Sequence, residues 1–433
     1  MKQRLLFIFA LLCAVAQGAW AQNVVDLSNV TSDYEAQDGD VLTGTLNGII
    51  QPYQISIADG ASITLRNATI DGYTKVSWGD YPHKFSGITC QGDATIILAD
   101  GTTNSVKGFG LEYPAILPGP PGKTLTIKGT GSLIATTQGW GAGIGTGCSK
   151  GRSCGNIVIE GGNITAMAGL NGGETTSPGI GAGYETSCGD ITIKGGYVTA
   201  KGGDNSAGIG KANGDKTHCG TITITGGEIH AANKAYGSGI GGGSDGAGCQ
   251  INISGGIVHA EGNAGIGGPE GSVIWIGGGE IHAQGIIGAG IGGSDDNNGG
   301  TITIEGGTIH ASGASLDVPG YRGAGIGGGG GAYGGTITIY GGTIVAKGGA
   351  EAAGIGGGEG GTGGNIFIYG GDITAYGGKY AAGIGGGDGE HGGAIWINGG
   401  TIKAYGGKDA AGIGGGEGGG SGSIVINGGD VYA

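Results

Sequence analysis

The chain has 433 residues, and 116 of them, about 27 per cent, are glycine, against roughly 7 per cent in an average protein. Scarce proline and the lack of a Gly-X-Y period exclude collagen, and interior glycines at about 1 kcal/mol each argue against a helical protein. With a formal charge of −14, the chain should repel nucleic acid and anionic membranes and attract cations.

The first element is a leader. Met1-Lys2-Gln3-Arg4 precedes an apolar run from Leu5 to Ala16, and Ala19-Trp20-Ala21 offers an A-x-A cleavage site. This is the pattern of a secretory signal peptide over residues 1–21, cleaved after Ala21. Loss of Lys2 and Arg4 would take the charge from −14 to −16. No later run of about 20 apolar residues predicts a membrane span. The expected location is the periplasm, the cell surface or the medium.

Residues 22–138 read as irregular first coils and a cap. Val41–Leu46, Gln54–Ile57, Ala61–Leu65 and Lys123–Ile127 alternate as strands do, and Tyr73 to Phe85 reads as a loop. Residues 139–433 are repetitive. Gly-Ile-Gly is centred on Ile144, Ile180, Ile209, Ile240, Ile266, Ile291, Ile326, Ile355, Ile384 and Ile413, with the last three steps all 29 residues. A glycine-rich loop, an I-x-I segment, Gly-Gly and x-I-x-A follow each centre. Apolar and polar residues alternate within each segment, so one face points inward. Three short strands per unit make one coil of a parallel β-helix, which predicts an all-β, right-handed parallel β-helix throughout. The inward columns run from Ile164 to Val431 and from Ala166 to Ala404. The chain stops at Ala433 within the third segment of a coil, an edge open to a partner or to self-association.

Ile97-Leu98-Ala99-Asp100-Gly101-Thr102-Thr103-Asn104-Ser105-Val106 and Lys123-Thr124-Leu125-Thr126-Ile127-Lys128-Gly129-Thr130-Gly131-Ser132-Leu133 carry a resemblance. Residues 86–145 resemble the bacterial carbohydrate-binding-domain-containing proteins, a family of right-handed β-helices that bind cellulose- and pectin-type polymers. The resemblance implies a polysaccharide partner, of plant cell-wall or acidic type, and Ca2+ held by loop carboxylates. It supplies no ligand set residue by residue.

Four outward features are candidates for chemistry. Phe367 and Trp396 take the x of I-x-I in successive coils, Tyr340 and Tyr369 follow two residues after that position, and Tyr376 and Tyr405 stack on the neighbouring arm. A row of aromatic faces suits stacking on a sugar polymer, although strands favour aromatics in any case. His230, His259, His282 and His310 occupy one outward column. Imidazoles at strand spacing could share a metal. Parallel side chains rarely converge, however, and Thr165, Thr199 and Thr374 at the same place favour a solvated surface. Asp245, Asp295, Asp296, Glu359, Asp388 and Glu417 follow Gly-Ile-Gly-Gly and suit calcium or plain solubility. Cys154, Cys188, Cys219 and Cys249 form a column, and Cys148 with Cys154 is the pairing expected from loop length, with other connectivities open.

The expected function is non-catalytic polysaccharide binding. A polysaccharide lyase or hydrolase is the main rival. It lacks support because Arg66, Arg152 and Arg322 lie far apart and no carboxylate pair with a base stands out. A surface adhesin or spacer without a ligand is the third reading.

Overall fold

The computed structural model describes residues 22–72, 85–148, 153–169, 176–214, 217–313 and 322–433. The leader, most of the Tyr73–Phe85 loop and Arg152 lie outside these residues. Among the described residues there is no α-helix, only a 3-10 turn over Leu27–Asn29. Among these residues no helix is long and apolar enough to cross a membrane.

The strands stack in three parallel ladders. The first arm holds the I-x-I segments, for example Thr336–Ile339, Asn365–Ile368 and Ala394–Ile397. The second arm holds x-I-x-A, as in Thr343–Lys347, Asp372–Tyr376 and Thr401–Tyr405. The third arm is the Gly-Ile-Gly segment, only two residues long in Ile355–Gly356 and Ile384–Gly385. Like residues sit above like: Ile337 on Ile366 on Ile395, Ala346 on Ala375 on Ala404, Ile355 on Ile384 on Ile413. This is a right-handed parallel β-helix, the hand expected where a crossover links parallel strands.

The alternation read from the sequence is the alternation of burial. Ile366, Ile368, Ile373 and Ala375 are fully buried, and the residues between them are half-buried or exposed. The third ladder starts before the Gly-Ile-Gly repeats. Ile55 lies under Ile88, Ile88 under Ile116, and Ile116 under Ile144. Ladders on the other arms also pass residue 138 unbroken, with Leu125 on Ile157 and Leu133 on Ile164. The irregular first coils and the repeats therefore share one core.

Glycine is required at two places. The second glycine of Gly-Ile-Gly has φ near +136° at Gly356, and a Cβ there would fall 2.1 Å from the carbonyl oxygen of Gly385 in the next coil. The Gly-Gly corner between the first two arms turns with φ +102° at Gly371. Neither conformation suits an L side chain. The corners stay hydrogen-bonded from coil to coil. The Tyr369 amide donates to the Ile339 carbonyl at 2.8 Å, and the Asp372 amide to that of Gly342 at 2.9 Å. In the last coil, Ile426 is 51 per cent exposed and Ile424 and Val431 are only partly buried.

Candidate functional site

With the apolar columns inside, side chains able to meet a ligand stand on the outward positions of the arms and in the loops. The aromatic set lies on the coils built by Thr336–Ile339, Asn365–Ile368 and Ala394–Ile397, with their second arms beside them. Phe367 and Trp396 stack at 4.7 Å and 6°, Tyr340 and Tyr369 at 5.0 Å and 11°, and Tyr376 and Tyr405 at 5.1 Å and 13°. Parallel in-register strands force this, because like side chains leave the backbone in the same direction. Each ring covers one face of its partner. The row of aromatics is thus made of pairs that offer outer faces, ring edges and phenol hydroxyls. All four tyrosines remain exposed, from 40 per cent at Tyr376 to 53 per cent at Tyr340. Lys347 adds a cation 5.9 Å from the Tyr376 ring.

The acidic loop residues do not converge. Among the described residues, only Glu228, His230 and His259 form a group of three His, Cys, Asp or Glu ligands within 4.8 Å of one another. Glu359 is paired with Arg322, which also holds Glu351, and burial holds the Glu359 carboxyl above the usual carboxylate value. Asp245 is exposed beside Ser244, and Asp388 and Glu417 sit in loops of successive coils.

Asp295 differs from the other loop acids. Half-burial, with the charge of Asp296 beside it, pushes its carboxyl up to about 6. The folded chain then holds this proton more tightly than the unfolded chain does. Ionisation at neutral pH opposes folding, and that penalty fades as pH falls below about 6 towards the unfolded value of 3.8. Asp295→Asn should raise stability by about 1 kcal/mol at pH 7, after discount for solvent screening. It should leave stability unchanged below about pH 4. Urea unfolding at the two pH values checks this.

The cysteines depart from the expected pairing. Cys219 and Cys249 form the disulfide, with Cα atoms 6.3 Å apart, and Cys148 and Cys154 are not bonded. Stacking brings one coil's cysteine within reach of the next. Cys154 instead meets Cys188, Sγ to Sγ at 3.0 Å, and both are buried. This set braces successive coils.

Nine segments, at 125–148, 157–184, 191–210, 222–244, 251–272, 302–330, 337–359, 368–388 and 395–417, match the family described as beta helix repeat. The chain is a beta helix repeat protein. The match is to the repeat, and the likeness to carbohydrate-binding-domain proteins is not among the findings. No curated protein and no solved structure matches the chain.

Proposed function

We propose that this beta helix repeat protein is exported and binds polysaccharide, without catalysis, along the aromatic stripe of its last coils. One observation carries the reading: three stacked aromatic pairs gather there, with four exposed tyrosine rings and their hydroxyls beside Phe367 and Trp396. A polymer would be held by hydroxyl hydrogen bonds, ring edges and outer faces. Successive coils repeat that surface along the rod, so a repeating ligand gains from several weak contacts at once. The leader over residues 1–21 supports export, and Glu359, engaged with Arg322, supports binding without a calcium bridge. Arg322, which a lyase would use to neutralise a uronate, is held by the same pair of carboxylates.

The rival reading is a rod without ligand. It is favoured by the stacking itself, since like residues stack in this fold wherever they recur, as His230, His259, His282 and His310 do at 4.6 to 5.1 Å. Pull-down on insoluble cellulose and on pectin separates the two. The wild type is expected to be retained, and the triple variant Phe367→Ala, Tyr369→Ala, Trp396→Ala to be released. Equal retention of both would remove the aromatic stripe from the account.

A further inference from the structure

We propose that Glu228, His230 and His259 form a binding site for one divalent transition-metal ion of the zinc, nickel or copper kind. Two strands build it. Glu228 and His230 are two apart on Glu228–Ala232 and so share its outward face. His259 stands directly over His230 on Ile257–Gly262, in the next coil.

The stack alone would not converge on an ion, because its imidazoles are parallel. Glu228 changes this. Its Oε1 lies 2.9 Å from His230 Nε2. The His259 ring centre is 4.6 Å from that of His230, and the ligand atoms of all three residues fall within 4.8 Å of one another. Two nitrogens and one carboxylate oxygen suit a borderline-soft ion, with a further position left for water. Calcium and magnesium prefer oxygen alone.

A shallow recess of about 220 Å³ runs beside the column, lined by His230, His259, Glu261 and Gln284 among others, and Glu228 is not part of its wall. Glu280 and His282 repeat the carboxylate-imidazole pair at 2.9 Å. His310 stands off at 5.1 Å, and that triplet does not close within the same limit.

The test is zinc titration by calorimetry, with Co2+ absorption as a second readout. The column position accepts threonine in other coils, at Thr165, Thr199 and Thr374, so His→Thr variants keep the fold, checked by melting. Wild type should bind one Zn2+ per chain. His259→Thr should weaken it at least about tenfold, a scale that loss of even a supporting group reaches. The double variant His230→Thr, His259→Thr should show no heat. His310→Thr should bind as wild type. No zinc heat in the wild type, undiminished binding by the folded double variant, or an equal loss in His310→Thr would each overturn the assignment. The result is independent of glycan binding.

Discussion

Gly356→Ala should be among the most damaging single substitutions in the rod, with a loss of at least about 3 kcal/mol. Two effects add. The residue sits at φ +136°, a region almost reserved for glycine, and the new methyl would meet the Gly385 carbonyl oxygen at 2.1 Å. That carbonyl accepts the hydrogen bond of the Gly357 amide at 2.9 Å, so it cannot retreat without opening the ladder. Gly414 separates the two effects. Its φ is +140°, but no carbonyl oxygen stands against it, and the nearest atom to a Cβ is the Ala411 methyl at 3.2 Å. Gly414→Ala should therefore show the backbone strain alone, of order 1–3 kcal/mol. Urea unfolding of both variants checks the difference, and equal losses would show that coil contact contributes nothing.

Ile366→Ala should lose about 3 to 4 kcal/mol. The side chain is fully buried between Ile337 and Ile395 in the first arm. A narrow core made of isoleucine and alanine has no large neighbour to swing into the cavity, so the site collapses poorly. Ile424, in the same column but only partly buried, should lose about 1 kcal/mol or less as alanine. Coils contact chiefly their neighbours, so the damage should be local. Hydrogen exchange should quicken first in Thr336–Ile339 and Ala394–Ile397, the strands paired to Asn365–Ile368, and late or not at all in Ile191–Ile193.

The fold was legible because its rules are local. Alternation within I-x-I and x-I-x-A marks the inward face, and the recurring Gly-Ile-Gly marks each coil. Gln54–Ile57 was legible as a strand, but its place in the third ladder with Ile88 and Ile116 was not, because these isoleucines lack the flanking glycine pair. There the arm is built from Ile55–Ile57 and Ile88–Cys90, with bulkier neighbours. The outward surface was legible only as columns. Which atoms meet depends on side-chain rotamers and on the spacing of coils, neither of which periodicity encodes. The sequence places the rings in a row, and the structure adds that they cover one another in pairs. Cys148 was expected to pair with Cys154, and instead Cys219 bonds Cys249. The histidine column read as a solvated stripe until Glu228 was seen against His230.

In physical terms the glycines build a scaffold, and the proposal is that the sparse outward side chains carry recognition. A glycan array of plant cell-wall and acidic polysaccharides, run once with calcium and once with EGTA, tests that claim most directly. The account predicts retention of at least one polysaccharide class to the same extent in both conditions. Failure to retain any glycan in either condition would contradict it.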